Sequence, residues 1–426
     1  MTATAEGGPA AGVTATPQVV LDPEPTQEPE LDLSSSGWVR LYSAPQDNLG
    51  SDVIQASDGE LYIVGGIGEI FDDERGGGVL LIKTDESGRL LWEKVYGGEE
   101  FDIGWSILQT GDGNLVIAGQ TNSYGAGGMD AYLIKVNRQG EELWSNTYGS
   151  PLDEAVSTVL ESPDGSLILI GNQVDPNDFI TDPGKAGYGG FGGRSNIYLV
   201  RTDADGNEIW SRTIESEDNV IASSGVTTQD GNLVILGSVL YFPDFDNDAI
   251  LIKIDQDGND LWTRSWEEDA YAGYTIAGTR DGGLLFSGIL ETGENPVADL
   301  YLLMVDPDGK ELWRKQYGEP AIYESGHAIL ETDDGDIVLL VSTTESLYSG
   351  MSGILLVKAD GSGTILWEQS IDHFYSSKAN AVLQHRDGGY LITGSASGRD
   401  GAPSTFLLKT DREGKVPEHV EMVPFP

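Results

Sequence analysis

The chain has 426 residues, no cysteine, and a formal net charge of −46 from 70 acidic and 24 basic side chains. That charge excludes nucleic acid as a partner, because phosphates demand a basic face. The missing cysteines exclude disulfides, thiolate zinc sites and cysteine nucleophiles, and no run approaches the ~18 apolar residues of a membrane-spanning helix.

Residues 1–35 are rich in Ala, Thr, Pro, Gly and Glu. Such a composition cannot support a core, so the segment is expected to be a disordered tether. It lacks the basic start and apolar stretch of a signal peptide. A mature exported protein whose signal was replaced by Met1, just after a lost lipid-modified cysteine, would begin this way. The expectation is therefore an extracytoplasmic protein with a lipid anchor upstream, with a cytosolic protein carrying a floppy N-terminus as the alternative. Acidity on this scale suits a salty or calcium-rich medium, or a face that attracts cations or basic partners.

Next comes GWVRLYS (37–43), which matches ELWSNTYG (142–149) but stands ahead of any full repeat. Beyond it a unit of about 50 residues recurs seven times. Its signature is LIKTDESGRLLW (81–92), LIKVNRQGEELW (133–144) and their equivalents, ending in LLKTDREGKVPE (407–418), where Glu418 replaces the tryptophan. From Trp38 to Trp367 the spacings are 54, 52, 66, 52, 51 and 54 residues, so one loop carries an insertion.

Each unit holds four stretches of strand character, as in DIGWSILQT (102–110), NLVIAGQT (114–121), AYLIKVN (131–137) and ELWSNTY (142–148). An Asp-Gly pair ending in Gly59, Gly113, Gly165, Gly231, Gly282, Gly335 or Gly388 joins the first two strands. It is read here as a tight turn with positive φ angles. Glycines from Gly88 to Gly414 close the second hairpin. Four antiparallel strands repeated seven times predict an all-β, seven-bladed β-propeller spanning residues 36–426. Pro417 makes 416–423 a poor outer strand for blade 7. GWVRLYS is therefore expected to take that place and close the ring around Trp38, with 416–426 adding an edge strand or packing loosely.

The repeat resembles the tandem units of exported bacterial and archaeal propeller proteins, often lipoproteins, with the pattern W…YGG…D…DGGY/NxxxAG…D…LIKxDxxG. It is also similar, more distantly, to the tryptophan-docked blades of quinoprotein dehydrogenases. The resemblance covers roughly residues 37–418 and implies the fold; such repeats serve many functions.

Turns such as TDADG and VDPDG look like fragments of calcium loops, but their recurrence marks them as hairpin turns. DFDND, with Asp244, Asp246 and Asp248, is the candidate calcium site; it lacks the glycine and glutamate of an EF-hand, and no other cofactor is expected. Third-strand cations (Lys83, Lys135, Arg201, Lys253, Lys358, Lys409) imply internal charge pairing, and Asp130, Asp248 and Asp299 stand just before that strand. His327 shares an inner-strand slot with Trp105 and Tyr274 and is read as a satisfied histidine.

The insertion, QVDPNDFITDPGKAGYGGFGGRS (173–195), is long for a compact domain and is the functional suspect. It offers Phe179, Tyr188 and Phe191 among Asp175, Asp178 and Asp182; blade 4 adds Tyr241 and Phe245. Aromatics with carboxylates suit sugars or basic peptides. The expected function is non-enzymatic binding or scaffolding, with a protein or glycan held on the loop-bearing face. Two alternatives stay open: a carbohydrate-active or quinone-linked enzyme using carboxylates near the axis, and a structural subunit of a surface assembly.

Overall fold

The computed structural model describes residues 37–68, 76–175, 194–216, 218–240, 247–266, 271–291, 298–318, 323–344, 353–374, 376–397 and 403–425. Among these residues every regular element is a strand. Blade 1 runs from its inner strand Asn48–Gln55 through Leu61–Gly68 and Gly77–Thr84 to the outer strand Leu90–Tyr96. Blades 2 to 6 repeat that order, starting from inner strands Asp102–Gln109, Asp153–Glu161, Asn219–Thr227, Tyr271–Gly278 and Tyr323–Glu331. Each inner strand touches the next, and that of blade 7, Ser376–Gln384, touches blade 1. The chain is a closed seven-bladed propeller.

Blade 7 draws on both ends of the chain. Its first three strands are Ser376–Gln384, Tyr390–Ser397 and Ser404–Lys409, and the fourth is Trp38–Ser43. The pairing sets Trp38 opposite Lys409, the register in which Trp92 stands opposite Lys83 in blade 1. The expected clasp is present. A fifth strand, Val420–Pro424, lies parallel to Trp38–Ser43 and covers its free edge. Among the described residues only blade 7 has five strands.

Buried aliphatic and aromatic side chains fill each of the seven interfaces between blades. The middle strands are apolar throughout, as Leu115–Thr121 shows by being buried at every position, because neighbours cover both faces of each blade. Every fully buried Leu or Ile contributes about 1.5–3 kcal/mol to that packing.

The tryptophans join one blade to the next. The ring of Trp92 lies over Gly140 of blade 2, where a Cβ would stand 2.8 Å from it; Trp144, Trp210, Trp262, Trp313 and Trp367 meet Gly206, Gly258, Gly309, Gly363 and Gly414 in the same way. Trp38 meets Gly88 and so completes the circuit. These glycines have positive φ and leave room for the ring, two demands only glycine meets cheaply. Four residues after the tryptophan, Tyr42, Tyr96, Tyr148 and Tyr317 donate to the carbonyls of the same glycines, at 2.6, 2.8, 2.6 and 2.5 Å.

In blades 1 to 6 both hairpins turn on one face of the disc, and the connections between second and third strands lie on the other. The Asp-Gly hairpins are tight turns, as expected, with positive φ at their glycines. Thr110 N–H donates to the Asn114 carbonyl and Gly113 N–H to the Thr110 carbonyl, enclosing a three-residue loop whose last member, Gly113, has positive φ. The aspartate side chain accepts from Thr110 Oγ1 and Asn114 N–H, so it holds the turn shut.

Candidate functional site

The repeated carboxylates are spent on structure. In the second hairpin, Asp85, Asp203, Asp255, Asp306, Asp360 and Asp411 each accept the amides two and four residues ahead; Asn137 does the same. These are turns, as their recurrence implied. Among the described residues no group of three or more His, Asp or Glu side chains could hold a metal ion.

The third-strand cations are paired internally. Lys135 meets Asp112 at 2.7 Å, Lys253 meets Asp230 at 2.8 Å, Arg201 meets Asp164 at 2.8 Å, and Lys409 meets Asp387 at 2.5 Å. The partner in these pairs is the carboxylate of the Asp-Gly turn, whereas Lys83 of blade 1 meets Glu60, just past that turn, at 2.6 Å; in neither case is it the aspartate before the strand, which lies at the strand's other end. Burial pushes the Asp387 carboxyl up, but Lys409, His385 and the Gly389 amide outweigh it and bring it to about 2. The Thr332 hydroxyl and Lys358 likewise bring Asp334 to about 2. A cleft of about 570 Å³ between blades 2 and 3 on this face is lined by such paired groups, including Asp112, Lys135 and Asp164.

The loop-bearing face uses its carboxylates differently. Asp102 accepts Gly98 N–H at 2.7 Å and Ser123 Oγ at 2.8 Å. Asp130 accepts Ala126 N–H at 2.9 Å, and Glu154 accepts Ser150 Oγ, Ser150 N–H and the Gln173 amide. All three are buried and hold loop backbone in place. Burial raises the Asp130 and Glu154 carboxyls, and the charges of Asp153 and Asp130 respectively add to the rise.

Of the residues singled out from the sequence, Asp178, Phe179, Asp182, Tyr188, Phe191, Tyr241, Asp244, Phe245 and Asp246 lie outside the described residues. Asp175 ends the second strand of blade 3 and stands opposite Arg194, the first residue of the third. The insertion therefore springs from a neck paired up to its last residue, on the loop-bearing face. Asp248 is a buried residue within the strand Asn247–Ile254, paired with Val239.

The axis carries a feature the sequence did not reveal. Every inner strand breaks register at one place, between Gly50/Asp52, Gly104/Ser106, Val156/Thr158, Ala222/Ser224, Gly273/Thr275, Gly326/Ala328 and Ala379/Ala381. The extra residues are Ser51, Trp105, Ser157, Ser223, Tyr274, His327 and Asn380. In six blades the residue opposite this bulge is the recurrent second-strand glycine, while blade 6 carries Val341 there opposite Gly326. The inner-strand carbonyl before the bulge, Ile103 in blade 2, occupies the space where a Cβ of Gly119 would lie.

Bulge residues reach across to neighbouring blades. Asn380 donates to the Gly50 carbonyl at 2.7 Å, and the Tyr274 and His327 rings lie 6.5 Å apart. Beside the bulge, Asp52 accepts Val53 N–H at 2.8 Å and Ile107 N–H of blade 2 at 3.0 Å. Burial pushes Asp52 up to about 6 against those hydrogen bonds. Burial, helped by the charge of Lys378, brings His327 down to about 4, so it is neutral at physiological pH.

The family described as outer membrane protein assembly factor BamB matches residues 32–294. No curated protein matches the chain. Solved structures with a similar fold include a protein of unknown function from Dyadobacter fermentans, with 12% identity, TM-score 0.52, and coverage of 88% of this chain and 98% of the other. A puromycin hydrolase shows 14% identity and TM-score 0.51 over 84% of this chain and 51% of its own. A polysaccharide lyase shows 11% identity and TM-score 0.50 over 85% of this chain and 90% of its own. At such identities these likenesses establish the propeller alone. The family match spans more than half of the chain, and the protein belongs to the family described as outer membrane protein assembly factor BamB.

Proposed function

We propose that the protein is a non-enzymatic, extracytoplasmic binding or scaffold propeller that holds a protein or glycan ligand on its loop-bearing face. The observation that carries this reading is the neck at Asp175 and Arg194, from which the longest departure from the repeat emerges on that face. The rest of the repeat is accounted for by scaffold: tryptophans on glycines, carboxylates on amides, and cations on turn aspartates. The family's description, a factor in assembling outer membrane proteins, supports a binding role outside the cytoplasm.

Charge favours a basic protein segment as ligand. The hairpin face neutralises much of its acidity through ion pairs such as Lys135–Asp112 and Arg280–Asp333, while Glu99 and Glu100 stand exposed on the loop-bearing side. A basic partner would be steered there at low salt. The test replaces Tyr188 and Phe191 by alanine together and measures affinity for a partner identified by cross-linking. At least a tenfold loss is expected; unchanged affinity would remove the insertion from the binding face.

A further inference from the structure

The outer strands of blades 1 to 6 each expose an aliphatic side chain just before the docked tryptophan: Leu91, Leu143, Ile209, Leu261, Leu312 and Leu366. In blade 1 the side chains of Trp92, Lys94 and Tyr96 reach Gly140 of blade 2. The alternate residues Leu91, Glu93 and Val95 therefore face blade 7. Leu80, the register partner of Val95, packs in the cluster between blades 7 and 1 and agrees with that orientation.

Three places after the tryptophan the blades divide into two kinds. Blades 2 to 6 carry Thr147, Thr213, Ser265, Gln316 and Ser370, whereas blades 1 and 7 carry Val95 and Leu41. In blade 7 a fifth strand covers this edge, with Met422 opposite Leu41. Gly37 there replaces the exposed aliphatic, and a Cβ on it would crowd Lys415 and Pro417, which lead to that strand. In blade 1 Val95 is 54% exposed, and among the described residues no strand lies on the outer edge of Leu90–Tyr96. The fifth strand of blade 7 faces that outer strand across a groove of about 500 Å³, whose walls include Leu90, Leu91, Glu93, Glu421, Val423 and Pro424.

We propose that this groove docks an extended segment of a partner protein, which adds to Leu90–Tyr96 as a fifth strand of blade 1. The free edge offers backbone donors and acceptors for such a strand. Side chains of the guest on the groove side stand beside Leu91, Glu93 and Val95, so the matching order at alternate positions is apolar, basic, apolar. Val423 adds apolar contact from the opposite wall. Glu93 is the carboxylate left for the basic residue, because Glu421 meets Arg40 and Arg89 meets Asp85. Charge decides against the other occupants. A second copy brings another −46, and residues 1–35 of this chain carry acidic side chains and no basic one. The groove is on the rim and the insertion belongs to blade 3, so this site and the loop-bearing face can each fail without the other.

The probe is a labelled peptide, Ser-Val-Thr-Lys-Thr-Val-Ser, whose order reads the same in either direction, titrated with the full chain at low salt by fluorescence anisotropy. A Kd below about 1 mM is expected, with slower hydrogen exchange of the amides of 90–96 and no change at 142–148. The Leu91→Ser, Val95→Ser variant should weaken binding at least about fivefold, as should glutamate in place of the peptide's lysine. Leu143→Ser, at the equivalent position of blade 2, should leave it unchanged. All three positions are exposed, so both variants should keep the parent melting temperature. No binding, binding indifferent to the Leu91→Ser, Val95→Ser variant, or protection elsewhere on the chain would overturn the proposal. So would a dimer that this variant dissociates, or tighter peptide binding after deletion of residues 1–35.

Discussion

Asp52 sits at the blade 1 bulge, where its carboxylate takes an amide from its own strand and one from blade 2. Its folded pKa of about 6 lies above the ordinary carboxylate value of 3.8, so folding takes up a proton between those two pH values. Ionised Asp52 therefore destabilises the fold above pH 6, and that cost fades as pH falls toward 4. Asp52→Asn keeps an acceptor oxygen without the charge. It should raise the melting temperature relative to the parent at pH 7.5 and lose that advantage at pH 4.5; an equal difference at both values would refute the assignment. Asp334 and Asp387 act with the opposite sign. Their pKa values lie near 2, so the stability they contribute at neutral pH is lost as pH falls from about 4 towards 2.

The ion pairs give a second residue-scale prediction. Blade 5 has Met304 where the others have a cation, and Asp281 of its turn keeps the hydrogen bond from Thr279 that its counterparts receive from Thr110 and Thr332. Lys135→Met should cost about 1–2 kcal/mol, because Asp112 is half exposed and water compensates it in part. Met304→Lys should leave stability within about 1 kcal/mol of the parent, since Asp281 can receive it. Denaturant midpoints check both, and a large loss in Met304→Lys would show that blade 5 is not built like its siblings.

At the scale of elements, the seventh blade is the exception. Trp38–Ser43 pairs on one side with Ser404–Lys409 and on the other with Val420–Pro424, so the closing strand is interior to its sheet. Arg40 forms an ion pair with Glu421, and Phe425 N–H donates to the Ser43 carbonyl at 2.9 Å. Deleting 416–426 should lower the melting temperature by a few degrees and leave a cooperative transition. Deleting 36–45 removes Trp38 and its docking onto Gly88, and should lower it sharply. Equal effects from the two deletions would mean that the N-terminal strand is no clasp.

Strands, blade count and clasp were legible in the sequence because each depends on residues near one another or on a missing copy of a repeated word. The Asp-Gly pair was legible as a tight turn, but its loop length was not, since that is set by which amide and carbonyl pair across it. The bulges were invisible, because a register break is a relation between two strands; only the repeated second-strand glycine hinted at them. That the cations were internally paired could be inferred from their regularity. Which carboxylate they chose could not, as Asp112 and Asp130 lie at opposite ends of the strand that carries Lys135. The insertion was visible as the one long tryptophan interval, but its bounds, read as 173–195, move inward, because Gln173 to Asp175 pair with Arg194 to Asn196 in the flanking strands.

At the scale of the whole molecule, the loop-bearing face and the groove between blades 7 and 1 exist only if the seven blades form one closed ring. Closure brings Ser376–Gln384 of blade 7 against blade 1 and sets Asn380 on the Gly50 carbonyl. Because the chain has no cysteine, closure can be tested with two introduced ones. Arg40 and Leu407 are direct register partners across the closing pair, within the Cβ separation that cross-strand neighbours share. In the Arg40→Cys, Leu407→Cys variant, mild oxidation of the folded protein should form an intramolecular disulfide in most molecules, seen as faster migration in a non-reducing gel, and oxidation in denaturant should not. A folded protein that leaves both thiols free would contradict the closed seven-bladed ring.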